Sequence, residues 1–135
     1  MNEVVISTSG ITFEEVISIA RGGAKIKISD ESMQAMRKTR EHIDRLASSE
    51  NPVYGISTGF GALAQKHILP KDRIQLQKSL IRSHAAGMGD VVETEVVRAM
   101  MALRLKTMCS GHTGVKPETA VTYAEILNSG ITPKV

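Results

Sequence analysis

The run Asn51-Pro-Val-Tyr-Gly-Ile-Ser-Thr-Gly-Phe-Gly61 constrains this chain more than any other stretch. Three glycines, Gly55, Gly59 and Gly61, fall within it at spacings of four and two. A glycine inside a helix costs about 1 kcal/mol relative to alanine, so the run is no helix interior. It also lacks the apolar/polar alternation of an ordinary strand. Pro52 drives Asn51 toward extended backbone. The reading is a shaped loop holding backbone amides, the hydroxyls of Ser57 and Thr58, and one phenol, Tyr54, in a fixed arrangement. One of only two tyrosines and one of only two phenylalanines lie in it.

The flanking sequence predicts helices, with a short extended part at the N-terminus. Residues 4–7 are β-branched and strand-like. Thr12 and Glu15 have the spacing of a capping box, with Ile11 and Val16 as its hydrophobic staple, for a helix to about Arg21. Gly22-Gly23 ends it. Lys25-Ile-Lys-Ile28 alternates as a strand does. Ser29-Asp30 opens a helix to about Ser48, apolar at Met33, Met36, Ile43, Leu46 and Ala47, and charged on the other face. Glu41 and Arg45 are spaced for an i,i+4 ion pair. Pro70 suits the first turn of a helix over 71–86. Asp90 and Glu93 resemble another capping arrangement. The helix after them, to about Met108, is apolar on most sides and is expected to be buried. Pro117 opens a last helix to about Asn128, with Gly130 as its stop.

Composition excludes several classes. The 135 residues suit one domain or part of a larger one. With aromatics at 3% and no Trp, the core must come from Leu, Ile, Val, Met and Ala, and the seven Met fill gaps between helices. The net charge of +3 is dispersed, without a basic tail, and no nucleic-acid partner is expected. A single cysteine, Cys109, excludes an internal disulfide and fits a reducing compartment. No apolar run approaches the roughly 20 residues that span a bilayer. The first residues carry no basic stretch of a signal peptide, so a cytoplasmic location without membrane contact is expected. His42, His67, His84 and His112 are never four apart, and HExxH and CxxC are absent; no metal site is expected. The glycine spacing is G-x-x-x-G-x-G, unlike a dinucleotide loop.

Tyr54 and His84 remain as acid–base candidates. A phenol has a reference pKa of about 10 and becomes a useful base only beside positive charge or hydrogen-bond donors. A glycine-rich turn can supply such donors, because no side chain covers its amides. On residue type alone, packing is the simpler reading of Tyr54, and a structural role the simpler reading of His84.

Four blocks in order, VYGISTGFG, LQKSLIRSHAAGMGD, VRAMMALRLKTMCSGHTGVKPE and ILNSGITPKV, resemble the N-terminal part of the histidine ammonia-lyase and aromatic amino acid lyase family. The resemblance covers residues 1–135 and is strongest from Asn51 onward. It implies a mainly α fold with short extended N-terminal segments and a glycine-rich active-site loop, the chain being the N-terminal portion of an ammonia-lyase-like domain. It also implies elimination of ammonia from an amino acid, without PLP or metal, by a 4-methylideneimidazole-5-one (MIO) electrophile made from an internal Ala-Ser-Gly. A homotetramer is implied as well. By this resemblance Tyr54 is the catalytic base and Gly61 the loop glycine whose backbone nears the active site. His84 contacts the substrate side chain, and Ser83 is its neighbour in the selectivity pair. Ser-His is the pattern of the histidine-specific enzymes, which yield trans-urocanate, though some tyrosine aminomutases carry it too. No Ala-Ser-Gly occurs in the 135 residues. In the family it follows shortly after the segment matching ITPKV, so the chain alone is expected to be inactive. The alternatives are a tyrosine or phenylalanine ammonia-lyase or aminomutase, or a non-enzymatic helical interaction module.

Overall fold

The structure, a computed structural model, describes residues 2–135. Its elements are β1 (Glu3–Ile6), α1 (Phe13–Ala20), β2 (Lys25–Ile28), α2 (Asp30–Ala47), a short 3-10 turn (Gly61–Leu63), α3 (Pro70–His84), α4 (Thr94–Cys109) and α5 (Pro117–Asn128). The fold is mainly helical. The chain divides into two compact units: one holds the described residues to Glu41 together with Asp90–Val135, the other His42–Gly89.

Local sequence signals account for most element boundaries in the first unit. The Thr12 hydroxyl accepts from the Glu15 amide at 3.2 Å, and the Glu15 carboxylate accepts from the Thr12 amide at 2.8 Å, which completes the capping box of α1. At the start of α2, Ser29 Oγ accepts from the Ser32 amide at 3.1 Å. Pro117 occupies the first turn of α5, where its missing N–H removes no helical bond.

Two expectations at helix ends and faces fail. The helix starts later than the Asp90 spacing implies: Glu93 is the N-cap of α4 and makes no side-chain cap bond. Glu41 and Arg45 are both exposed and form no ion pair with each other, the usual outcome where water screens two long side chains. Arg21 instead meets Glu95 of α4 in a bidentate pair at 2.8 Å for each bond.

The extended N-terminal residues are a two-stranded parallel sheet, with Val4 opposite Ile26 and Ile6 opposite Ile28. Parallel strands need a crossover, and α1 provides it. Val4, Ile6 and Ile26 point into a core shared with Ile19, Met36, Leu105, Cys109, Ala120 and Leu127. α1 packs on α4, α4 on α5, and α5 on β2. Asn128, at the end of α5, takes the place of a third strand: the Ile26 amide donates to its Oδ1 at 2.7 Å, and its Nδ2 donates to the Ile26 carbonyl at 2.8 Å. That closes the edge of β2, which would otherwise leave backbone groups unpaired.

The expectation that α4 is buried on most sides holds for one face only. Val97, Met101, Ala102, Leu105 and Cys109 are buried, whereas Val96, Met100 and Leu103 are between 43% and 52% exposed. A groove of about 580 Å³ opens beside Met100 and Leu103, with Tyr123, Pro133 and Val135 on its other wall, and Val96 lines a separate cleft against Val16, Ile17 and Ala20 of α1. No described helix is long and apolar enough to cross a membrane.

Candidate active-site loop

The second unit, His42–Gly89, contains all four residues singled out from the sequence. It consists of the end of α2, the loop over 48–69, and α3. Arg73 holds the two feet of the loop: its guanidinium donates to the Ala47 carbonyl at 2.8 Å and to the Ile68 carbonyl at 3.1 Å.

Inside the loop, Ser57 and Thr58 are buried, at 0% and 4% exposure, while Tyr54 is 65% exposed. The buried pair is held from one side by the returning chain. The Ile68 amide donates to the Ser57 carbonyl at 2.8 Å, Thr58 forms an isolated antiparallel bridge with His67, and the Gly59 amide donates to Lys66 at 3.3 Å. From the other side the two hydroxyls reach back to the residues flanking Tyr54. Ser57 Oγ accepts from the Val53 amide at 2.9 Å, and Thr58 Oγ1 accepts from the Gly55 amide at 3.2 Å. Thr58 Oγ1 in turn donates to the Gly59 carbonyl at 3.0 Å.

The glycines have different physical causes. A Cβ on Gly59 would lie 2.5 Å from the Leu63 Cβ, so that position admits no side chain without a backbone shift. Gly61 has open space around it but a φ of +55°, in the left-handed region that favours glycine. The Phe60 ring stands edge-on to Tyr54, with centroids 6.0 Å apart and an interplanar angle of 80°.

The expectation that loop amides would surround the phenol is not met. The amides of Val53 and Gly55 are engaged by Ser57 and Thr58, and among the described residues the Tyr54 hydroxyl has no hydrogen-bond partner. The reason is proximity: hydroxyls three and four residues away reach those amides first. The loop therefore fixes the backbone under Tyr54 and leaves its hydroxyl uncommitted. Ser57 and Thr58 are the residues that the sequence reading left without a role; their place between the glycines was the available signal.

Ser83 and His84 occupy the last turn of α3, a helix with no fully buried residue. The Ser83 hydroxyl donates to the Leu80 carbonyl at 2.9 Å and lies 3.0 Å from His84 Nδ1. His84 Nδ1 is also 2.9 Å from the Leu80 carbonyl. A carbonyl only accepts, so the tautomer that bonds Leu80 has its proton on Nδ1 and presents Nε2 as the acceptor. No described hydrogen bond joins Ser83 or His84 to Tyr54 or Gly61. Among the described residues, no three His, Cys, Asp or Glu side chains cluster as metal ligands do.

Residues 11–135 match the family model of the aromatic amino acid lyases. The chain is 59% identical to the histidine ammonia-lyase of Streptomyces avermitilis over all of its 135 residues, which are 26% of that protein. Among solved structures, the histidine ammonia-lyase of Trypanosoma cruzi superposes with a TM-score of 0.88 at 34% identity, covering 98% of this chain and 25% of that one. The tyrosine aminomutase of Streptomyces globisporus superposes with a TM-score of 0.92 at 33% identity, over 98% and 25%. The chain thus spans about a quarter of the length of the curated relatives it matches. It belongs to the aromatic amino acid lyase family.

Proposed function

We propose that these 135 residues are the portion of a histidine ammonia-lyase domain that supplies its catalytic base and its substrate-ring contact. The observation that carries this is the 59% identity to a histidine ammonia-lyase across the entire chain. The parent protein would eliminate ammonia from L-histidine to give trans-urocanate, as a soluble cytoplasmic homotetramer.

Elimination needs a proton taken from the substrate's β-carbon, which is barely acidic. Tyr54 is the base in this reading, and its exposed, uncommitted hydroxyl is free to face a substrate. The Val53 and Gly55 amides are engaged by Ser57 and Thr58, so activation of the phenol falls to other groups. His84 presents Nε2 as an acceptor, suited to an imidazole N–H on the substrate, and Ser83 holds its Nδ1 side. A site built to pair a polar ring discriminates strongly against a ring that leaves its partner unpaired. The implied prosthetic group, 4-methylideneimidazole-5-one, would supply the electrophile that eases the departure of ammonia. Its Ala-Ser-Gly precursor is not among these residues. The open space over Gly61 and the free Tyr54 hydroxyl fit a group approaching from outside them.

The test is a chimera in which this chain replaces the matching segment of the Streptomyces avermitilis enzyme. It should release ammonia from L-histidine in preference to L-tyrosine. Tyr54→Phe should lower kcat by roughly 10²–10⁴-fold, the usual contribution of a positioned base. The 135-residue chain alone should form no urocanate. A chimera that prefers tyrosine would favour the aminomutase-like alternative, and full activity in Tyr54→Phe would remove the base.

A further inference from the structure

The loop's internal bonds raise a question that the lyase reading leaves open: what holds a base steady on a loop that leaves its side chain exposed. Among the described residues the Tyr54 hydroxyl has no hydrogen-bond partner, and its ring stands edge-on to Phe60. The amides of the residues before and after it, Val53 and Gly55, are each held by a buried hydroxyl. Both hydroxyls belong to one dipeptide, and that dipeptide is itself clamped to residues 66–68.

We propose that Ser57 and Thr58 are positioning residues for Tyr54, acting through the amides of Val53 and Gly55 to fix the backbone that carries the phenol. The proposal rests on Tyr54 being the base. The two bonds have ordinary lengths of 2.9 and 3.2 Å. What the two hydroxyls restrict is movement of the Val53–Gly55 backbone that carries the phenol, Thr58 at the Tyr54–Gly55 peptide and Ser57 one residue ahead of Tyr54. Without them the Val53 and Gly55 amides would turn to water, and the phenol would sample positions away from the β-carbon. A misplacement of about 1 Å at a reacting group can cost on the order of 10²-fold in rate.

Thr58→Val in the chimera removes the hydroxyl and keeps the shape. It should lower kcat by roughly tenfold to a hundredfold, with KM changed by no more than about twofold, because the base acts in the transition state more than in binding. Thr58→Ser restores the hydroxyl and should restore most of the rate. Ser57→Ala is the independent second variant and carries the same test if Thr58→Val does not assemble. A purely structural role would lower the yield of folded protein while leaving kcat per folded site unchanged. Amide hydrogen exchange on the 135-residue chain gives a readout free of catalysis: Thr58→Val should raise exchange at Gly55, and Ser57→Ala at Val53.

Wild-type kcat per folded site in both Thr58→Val and Ser57→Ala, alongside an inactive Tyr54→Phe, would overturn the positioning role alone. Failure of serine to rescue position 58, or unchanged exchange at Gly55, would also overturn it. Full activity in Tyr54→Phe would instead remove the base reading, and the positioning role with it.

Discussion

Replacing Asn128 with alanine tests whether one side chain closes the edge of the parallel sheet. The substitution removes the acceptor for the Ile26 amide at 2.7 Å and the donor to the Ile26 carbonyl at 2.8 Å. Ile26 is 6% exposed, so water reaches its backbone poorly. Each lost bond is worth about 1 kcal/mol net, rising toward 3 when a buried partner is left unsatisfied. Two bonds therefore give about 2–6 kcal/mol. Alanine's better helix propensity at the end of α5 returns at most about 0.7 kcal/mol. Lys25 bonds the Asn128 backbone carbonyl, which alanine keeps, so that contact does not enter. The net loss is about 1–5 kcal/mol, measurable by urea denaturation of the 135-residue chain. Asn128→Asp separates the two bonds. It keeps an acceptor for the Ile26 amide but sets an oxygen against the Ile26 carbonyl, so it should lose stability while the Ile26 amide stays slow to exchange. In Asn128→Ala the same amide should exchange faster. A loss below about 0.5 kcal/mol with the Ile26 amide still protected would refute the argument, because a dispensable pair of bonds is not closing a buried edge.

Two further outcomes follow from the packing. Gly59→Ala places a Cβ 2.5 Å from the Leu63 Cβ and should destabilise the second unit by about 1–3 kcal/mol; Leu63→Ala should not relieve it in a double-mutant cycle, since the clashing atom remains. Burial pushes the Cys109 thiol up to about 11 from an ordinary 9.0, although Lys106 opposes the shift, so a thiol reagent at pH 8 should label it only after unfolding. The sign of the pH dependence follows: between about pH 9 and pH 11 the unfolded chain releases a proton that the folded chain keeps, so stability falls as pH rises through that window and is full below it.

Where the governing contact lies within a few residues, the sequence is sufficient. The Thr12–Glu15 box, the Ser29 cap, and Pro70 and Pro117 at first turns depend on residues within one helical turn, and the Lys25–Ile28 alternation on positions two apart; each is found as the residues imply. The loop over 51–61 was legible as a loop for the same reason: glycines at those spacings forbid anything regular. The family blocks were legible because they are runs of identity, independent of geometry.

Long-range pairing was not legible. Neither β1 nor β2 carries a mark that the two are parallel neighbours, and nothing about Asn128 announces that it bonds a residue 102 positions earlier. The open face of α4 was misread because hydrophobicity states what a helix can bury and not what is there to cover it. The Tyr54 loop divides along the same line. Its composition determined that hydroxyls, amides and one phenol would be crowded together. Only the folded chain decided which met which, because the turn geometry brings the hydroxyls of Ser57 and Thr58 to the amides beside the phenol and leaves the phenol itself free.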